Sequence, residues 1–363
     1  MNYSFGTILI NGREVELSDI LQEKEVPQSS FEISLFAFIQ KWHGPDDSFV
    51  QHTSGSTGPP KPIVIKRQQM IASARLTQAA LGLRAGETAL VCLDPGFIAG
   101  KMMIVRSFIT DMRIVAVTPT VNPWKENHLL NLPIDFTALV PLQLREILLS
   151  DQRGALDKVR NIIVGGAAPT DDLKESILQL RSNVYATYGM TETVSHIALR
   201  PLNGSAASEY YSALPGIKIN RDSKGCLEIT APYLSEKIIT RDIVEIRNDV
   251  QFKWIGRLDN VINSGGIKIT PEIIEAKLTK LFTRLKIENR LLISSRPDPA
   301  LGNRLILLIE GILQVPVDHL KSRFKEVLRP YEIPKEIYDN ITFVLTKNGK
   351  INRVETARKI GTS

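Results

Sequence analysis

The sequence has few cysteines, few aromatic residues and no long apolar run. Only two of its 363 residues are cysteines, Cys92 and Cys226, and each lies in an apolar, strand-like run. We therefore expect two buried thiols in a reducing compartment rather than a disulfide. No apolar stretch is long enough to cross a bilayer, and the N-terminus lacks the basic segment and apolar core of a signal peptide. These absences predict a cytoplasmic protein without membrane insertion.

Clustered positive charge is also absent. The net charge of +6 is compatible with anionic ligands such as nucleotides, but no block of Lys and Arg carries interleaved aromatic residues, so we expect no nucleic-acid partner. A hydrophobic content of 43% with 23% charged residues describes a globular protein. The length suits a large domain and a small one.

Apolar runs alternate with helix-like segments before Pro215. The runs are Pro62–Ile65, Ala89–Leu93, Ile114–Val117, Phe136–Val140, Ile162–Val164 and Val184–Tyr188. One predicted helix, 68–83, would turn Ile71, Leu76, Ala79, Ala80 and Leu83 inward, and another, 171–181, would bury Leu173, Ile177 and Leu180. This alternation predicts an α/β fold with a mainly parallel sheet covered on both faces.

The pattern changes after Pro215. Short alternating strands joined by polar turns predict a small antiparallel sheet or barrel over about 215–257. A third region begins near Asn260, where Thr270 and Pro271 supply a helix cap and first turn. Strands at 291–294, 305–310 and 341–345 and a helix at 317–328 complete a small α+β domain.

A loop of small residues, Thr53-Ser54-Gly55-Ser56-Thr57-Gly58-Pro59-Pro60-Lys61, is the strongest local signal. Its backbone N–H groups can surround phosphate oxygens while the lysine neutralises charge. A Walker A loop would need to open a helix, but prolines follow both Gly58 and Lys61. A Ser/Thr/Gly-rich linker stays open as an alternative on these residues alone.

Two further segments follow predicted strands. Gly165-Gly166-Ala167-Ala168 is small enough for a flat ring to approach the backbone, although strand-to-helix turns often use glycine. Tyr188-Gly189-Met190-Thr191-Glu192 brings an aromatic ring, a hydroxyl and a carboxylate into one short segment. Alone, this segment would read as a buried Tyr beside a solvated Glu.

Taken together, and in this order, the motifs resemble those of the adenylate-forming superfamily, which includes acyl-CoA synthetases, adenylation domains of peptide synthetases and luciferases. The resemblance extends through Thr240-Arg241-Asp242, Gly256-Arg257-Leu258-Asp259, Gly265-Gly266-Ile267-Lys268 and a terminal motif with Gly349-Lys350 and Arg353. Arg241 stands where the family usually has Gly, and Asn263 where many members have Lys. Such enzymes activate a carboxylate with ATP and usually pass the acyl group to a thiol.

The resemblance implies roles for individual residues. Thr191, Glu192 and Lys350 would be catalytic, with Glu192 on Mg²⁺, Asp259 at the hinge, and Gly265 and Gly266 on the CoA side. ATP and AMP would be bound by Thr53, Ser54, Gly55, Ser56, Thr57, Gly58, Lys61, Gly165, Gly166, Ala167, Ala168, Tyr188, Gly189, Asp242 and Arg257. The implied domains are 1–257 and a mobile 260–363, joined by a hinge at 258–259, in a fold whose N-terminal region is shortened.

Within the superfamily, the compact chain most resembles the o-succinylbenzoate-CoA ligases of menaquinone biosynthesis. Their substrate has two carboxylates, and Lys101, or Arg106 further along the same predicted helix, would hold the one that is not activated. Ser195 and His196 would line the acyl pocket; Lys101 could instead be solvent-exposed and His196 structural. The alternatives are another acid, a carrier-protein thiol, or a non-catalytic nucleotide-binding protein. A homodimer is the default expectation.

Overall fold

The computed structural model describes residues 4–52, 61–125, 129, 132–166, 171–346 and 351–362. The chain divides into two compact units. The first comprises Met1–Ile219, Ile229–Ile238 and Asn248–Gln251, and the second comprises Asn220–Glu228, Ile239–Arg247 and Phe252–Ser363. Within the described ranges, no helix combines the length and apolarity required to cross a bilayer. The predicted boundary at 257 and the hinge at 258–259 stay predictions.

The first unit contains alternating strands and helices. Its strands are β1 (Thr7–Ile10), β2 (Arg13–Glu16), β3 (Ser48–His52), β4 (Pro62–Lys66), β5 (Thr88–Val91), β6 (Arg113–Ala116), β7 (Phe136–Leu139), β8 (Asn161–Val164), β9 (Asn183–Gly189), β10 (His196–Pro201) and β11 (Tyr211–Ala213). Its helices are α1 (Leu17–Leu21), α2 (Ser30–His43), α3 (Arg67–Leu81), α4 (Ile98–Thr110), α5 (Pro141–Leu148), α6 (Arg153–Leu156) and α7 (Asp171–Leu178).

Most of these strands form one sheet, in the order β2-β1-β6-β5-β7-β8-β9-β10-β11. The pairs β1–β6, β6–β5, β5–β7, β7–β8 and β8–β9 are parallel, and antiparallel pairs flank them. All residues of β5, β7 and β8 are buried, as expected for central parallel strands covered on both faces. The predicted α/β fold with a mainly parallel sheet is confirmed.

The structure confirms only part of the inward face predicted for 68–83, because Ile71 and Leu83 are buried and the other three residues are not. Leu76 is only half-buried and Ala79 and Ala80 are exposed. The buried positions are Met70, Ile71, Ser73, Ala74, Thr77 and Leu81, which follow the helical period but include two hydroxyl side chains. The prediction was wrong for Leu76, Ala79 and Ala80 because it counted apolar residues only, whereas the helix buries Thr77, whose hydroxyl contacts Arg106 and His196.

The remaining strands and helices begin after Gly216. The strands are β12 (Lys218–Arg221), β13 (Cys226–Thr230), β14 (Ile238–Asn248), β15 (Gln251–Arg257), β16 (Ile262–Ser264), β17 (Ile267–Ile269), β18 (Leu291–Asp298), β19 (Gly302–Glu310) and β20 (Glu336–Ile341). The helices are α8 (Pro271–Arg284), α9 (Val317–Phe324) and α10 (Arg353–Arg358). Strands β12 to β15 are neighbours in chain order and are joined by short connections, which confirms the predicted small antiparallel subdomain.

The second unit contains its own small α+β core. Strand β19 pairs antiparallel with β18 and parallel with β20, and α8 buries Ile274, Leu278 and Leu281. The strand predicted at 341–345 is wrong, because β20 ends at Ile341. Phe343 is buried in a side-chain cluster, while its backbone N–H donates to Glu310 Oε1 at 3.2 Å, so this apolar run is an irregular core segment.

Candidate active site

The predicted phosphate loop joins two paired strands. Strands β3 and β4 run antiparallel from Ser48 opposite Lys66 to His52 opposite Pro62. The loop therefore returns into a strand and does not open a helix, which excludes the Walker A alternative. Thr53, Ser54, Gly55, Ser56, Thr57 and Gly58 lie outside the described residues. Lys61 is exposed directly before β4.

The glycine segment and the tyrosine motif lie at one edge of the parallel sheet. Strand β8 ends just before Gly165, and its parallel neighbour β9 ends at Gly189. A Cβ atom on Gly165 would lie 2.8 Å from the Thr187 hydroxyl, and Gly166 has φ of +88°. A side chain is therefore disfavoured at both glycines, and the backbone stays accessible at the carboxyl edge, where ligands bind in open α/β sheets. Ala167 and Ala168 lie outside the described residues.

A tight turn presents Thr191 and Glu192. Gly189 is paired with His196 across the β9–β10 hairpin, and a Cβ on Gly189 would lie 2.4 Å from the Cα of His196. The fully buried Thr193 donates to the Met190 carbonyl and accepts from the Met190 N–H. Glu192 is exposed and Thr191 is half-buried. The turn thus presents the two polar groups at the edge shared with Gly165.

Behind this turn lies a buried arginine. Arg106 in α4 is only 2% exposed. Its Nε donates to Thr77 Oγ1 at 3.2 Å, and its Nη2 lies 2.6 Å from Ser195 Oγ and 3.3 Å from His196 Nδ1. Burial lowers the pKa of Arg106 to about 9, against the opposing effect of Tyr233. No carboxylate of the described residues pairs with this guanidinium.

Hydrogen bonding assigns the tautomer of His196. The Thr77 hydroxyl donates to the Ser73 carbonyl at 3.2 Å, so its single proton is used. His196 Nε2, 3.1 Å from the same hydroxyl, must then carry a proton and donate, and Nδ1 accepts from Arg106. Burial, followed by the charge of Arg106, lowers the pKa of His196 well below its usual 6.5. His196 is therefore a neutral part of this network.

Lys101, on the first turn of α4, has other partners. Its Nζ donates to Gln51 Oε1 at 2.7 Å and to the Gly96 carbonyl at 3.4 Å. Burial lowers the pKa of Lys101, and Asp94 opposes this shift. Lys101 is half-buried, so the structure does not place it as a fully solvent-exposed side chain. It has no hydrogen bond with Ser195 or His196 among the described residues.

The second unit brings the Thr240-Arg241-Asp242 and Gly256-Arg257-Leu258-Asp259 motifs together. Asp242 is buried, and its Oδ1 accepts from Trp254 Nε1 at 3.2 Å. Arg257 places Nη1 3.5 Å from Asp242 Oδ1 and donates from Nη2 to Asp259 Oδ2 at 3.0 Å. The second oxygen of Asp259 accepts from Arg241. A carboxylate beside a guanidinium at a strand edge can bind a pair of hydroxyl groups.

Two other predicted segments lie in the second unit. Gly265 and Gly266, with φ of +58° and +81°, form the turn between β16 and β17. Lys350 lies outside the described residues. Arg353, at the end of the same motif, donates from both terminal nitrogens to Glu275 Oε1 at 2.6 Å. Burial raises the pKa of Glu275 to about 7, with Arg353 opposing the shift.

A family model described as AMP-binding enzyme matches residues 6–219. The chain belongs to the AMP-binding enzyme family. This AMP-binding enzyme is 27% identical over 94% of its length to a Lactococcus lactis protein named 2-succinylbenzoate–CoA ligase, and it covers 79% of that protein. A Bacillus cereus protein of the same name is 24% identical over 68% of the chain, which spans only 60% of that relative. The predicted resemblance to adenylate-forming enzymes, and within them to o-succinylbenzoate-CoA ligases, is confirmed.

Solved structures support the fold of this AMP-binding enzyme. An acyl-CoA synthetase (AMP-forming)/AMP-acid ligase II-like protein from Dyadobacter fermentans is 41% identical, covers 94% of this chain and 97% of its own, and has a TM-score of 0.62. The o-succinylbenzoate coenzyme A synthetase of Bacillus subtilis, solved with ATP and magnesium, is 22% identical over 85% of this chain and 69% of that one, with a TM-score of 0.68. The latter shows likeness of fold.

Sequence reasoning missed several residues of the AMP-binding enzyme that contact the predicted site residues or the turn that presents Thr191 and Glu192. Thr77 bridges Arg106 and His196, the Tyr233 hydroxyl donates to the Thr193 carbonyl, and Trp254 holds Asp242. Burial raises the pKa of Tyr233 to about 12. For Thr77 a signal existed, because Ser73 and Thr77 put two hydroxyls four residues apart on one helical face. Tyr233 and Trp254 carried no local signal.

Proposed function

We propose that this AMP-binding enzyme is an ATP-dependent acid–CoA ligase whose acid is o-succinylbenzoate. In the first half-reaction a carboxylate oxygen would attack the α-phosphorus and release pyrophosphate. In the second, the CoA thiol would attack the acyl carbon and release AMP. The names of relatives at 24 to 27% identity support this acid, as do the buried residues beside the turn at 189–196.

The observation that best supports o-succinylbenzoate as the acid is the burial of Arg106. A buried charge is expensive unless it is paired, yet the partners of this guanidinium are Thr77, Ser195 and His196, all neutral. None of them satisfies Nη1 in the described structure. A second carboxylate on the substrate would supply the missing charge through a charge-assisted hydrogen bond. We therefore favour Arg106 over Lys101, whose amine already donates to Gln51.

The roles of the remaining residues follow from the family resemblance. Lys350 would neutralise charge between the attacking carboxylate and the α-phosphate, and the Thr191 hydroxyl would donate to the same phosphate. Asp242 and Arg257 would bind the ribose hydroxyls, and Tyr188 would stack on adenine beside Gly165 and Gly166. Asp259 would be the hinge that lets the small domain exchange its faces between the half-reactions.

The residues fit a magnesium ion that arrives with ATP. Within the described ranges, no group of three or more His, Cys, Asp and Glu side chains could hold a metal ion. Mg²⁺ commonly takes one or two carboxylates together with substrate phosphates and water. Glu192, exposed at the carboxyl edge of the sheet, offers one such carboxylate. The ion would offset the negative charge of the phosphates.

Pyrophosphate release tests the proposal. The enzyme is supplied with ATP, Mg²⁺ and o-succinylbenzoate, benzoate, acetate or a medium-chain fatty acid, each with and without CoA. We expect selective release with o-succinylbenzoate and a thioester product that requires CoA. Release with another acid would refute the choice of acid. If a thioester formed only on a carrier protein, the proposal of CoA as the acyl acceptor would be wrong. If no acid caused pyrophosphate release, the non-catalytic alternative would be favoured. Cytoplasmic location and a homodimer stay predictions.

A further inference from the structure

Arg241 stands where the resembling family usually has glycine, and it is part of an ordered charge network. The side chain is 54% exposed, and its Nε and Nη2 lie 2.7 and 2.5 Å from the same oxygen, Oδ1, of Asp259. Hydrogen bonding by Arg241 lowers the pKa of Asp259, which therefore stays ionised near neutral pH. Because Arg241 lies at an exposed strand position, packing does not explain its ion pair with Asp259.

The two oxygens of Asp259 serve different arginines. Oδ1 is taken by Arg241, and Oδ2 accepts from Arg257 Nη2 at 3.0 Å. The other terminal nitrogen of Arg257, Nη1, is directed to Asp242 Oδ1 at 3.5 Å. Because this last contact is long, Arg257 is only loosely bound to Asp242 and keeps hydrogen-bonding capacity on that side.

Removing Arg241 would change which arginine contacts each oxygen of Asp259. Asp259 Oδ1 would be free, and a guanidinium and a carboxylate prefer a bidentate arrangement with two parallel hydrogen bonds. Arg257 could then use both terminal nitrogens on Asp259 and withdraw Nη1 from Asp242. Arg241 prevents this by occupying one carboxylate oxygen.

We propose that Arg241 is a positioning residue that, through Asp259, holds Arg257 beside Asp242 for recognition of the vicinal diol of a ribose. This rests on the proposed function, because Asp242 and Arg257 bind ribose only if the chain binds a nucleotide. Arg241 itself touches no substrate. Its effect is thus limited to nucleotides that carry both hydroxyl groups.

Calorimetric binding of Mg-ATP and Mg-2′,3′-dideoxy-ATP tests this. The full chain is compared with Arg241→Ala, with Arg241→Lys, and with Arg247→Ala, which removes another exposed arginine of strand β14. We expect Arg241→Ala to weaken ATP binding about 3- to 5-fold, the range of a partly exposed ion pair, and to leave dideoxy-ATP binding unchanged. Arg241→Lys should regain part of the ATP affinity, and Arg247→Ala should match the wild type.

Other outcomes overturn the inference. If Arg241→Ala weakens both nucleotides equally, the residue acts only on general structure or charge. If the wild type prefers ATP over dideoxy-ATP and Arg241→Ala keeps that preference, the positioning role is wrong while the proposed function stands. If the wild type binds neither nucleotide, the proposed function fails together with the inference.

Discussion

Two arginines, one in each unit, show opposite ways of holding a guanidinium. In the first unit Arg106 is 2% exposed, and its hydrogen-bond partners among the described residues are the neutral Thr77, Ser195 and His196. In the second unit Arg257 is half-buried and lies between the carboxylates of Asp242 and Asp259. Arg106 costs more free energy to bury, and no carboxylate in the described part of the chain pairs with it to offset that cost.

The difference indicates different ligands. A guanidinium that already has carboxylate partners is suited to hydroxyl groups, which bind without adding charge. A guanidinium held by neutral groups is suited to an anion, because the ligand then supplies the missing charge. The comparison therefore predicts that changes in the first unit alter the choice of acid, and that changes in the second unit alter nucleotide binding whatever the acid.

The largest effect is expected for Arg106→Gln. Loss of a buried, charge-assisted contact should lower kcat/KM for o-succinylbenzoate about 100-fold, with little change in the KM for ATP. Steady-state pyrophosphate release with each substrate varied in turn measures both. Arg106→Lys serves as the control, since it keeps the charge and should retain part of the activity. An equal loss for acid and ATP would show that Arg106 is structural.

Asp242→Asn should have a smaller effect, and it should alter the KM for ATP rather than the kinetics of the acid. The change removes the negative charge but keeps a side chain of similar shape, so we expect about a tenfold rise in the KM for ATP. The rise should be the same with every acid that the enzyme accepts. If it varied with the acid, Asp242 would contribute to the acid site and the contrast between the two units would fail.

The order of elements was predictable because strands and helices carry their own periodicity. The buried runs β5, β7 and β8 and the helix α8, which begins at Pro271 as predicted but without a side-chain cap from Thr270, follow local hydrophobic patterns. Strand β20 was missed because its residues are half-buried and exposed, while the more apolar segment around Phe343 packs without forming a strand. Pairing with β19, and not apolar content, decided between these two segments.

The site was predictable where motifs are contiguous, and less so where partners come from distant elements. The sequence indicated Ser195 and His196 from their place after Glu192, but it left Lys101 and Arg106 both open as partners of the second carboxylate. The choice between Lys101 and Arg106 depends on tertiary contacts. Lys101 donates to Gln51, and Arg106 donates to Thr77, which is 29 residues away in the sequence. No periodicity in one segment can reveal a hydrogen bond to another.

A smaller effect is expected for Thr77→Val, which keeps the shape but removes the hydroxyl. The Nε of Arg106 and the Nε2–H of His196 would lose their acceptor, so we expect about a fivefold fall in kcat/KM for o-succinylbenzoate. The KM for ATP should not change. Thr77→Ser keeps the hydroxyl and should restore activity. If valine and serine behaved alike, packing rather than hydrogen bonding would be the function of this residue.

The smallest effect concerns pH and the neutral His196. Its pKa is below 6.5 in the folded protein, so the unfolded chain binds the proton more strongly, and the stability of the folded state falls as pH drops through 6.5. Between pH 7.5 and 6.0 the free energy of unfolding should fall by an amount on the order of 1 kcal/mol, the effect of one proton on a group that has an ordinary pKa when unfolded. Urea denaturation at the two pH values, followed by the fluorescence of the buried Trp42 and Trp124, measures this free energy.

The variant His196→Gln should lose this part of the pH dependence. His43, whose pKa is also lowered by burial, is present in both proteins, so its contribution cancels in the difference. If the free energy of unfolding of His196→Gln depended on pH as it does in the wild type, His196 would not be held neutral beside Arg106. Arg106 would then no longer be an arginine with neutral partners, and its contrast with the carboxylate-paired Arg257 of the second unit would fail.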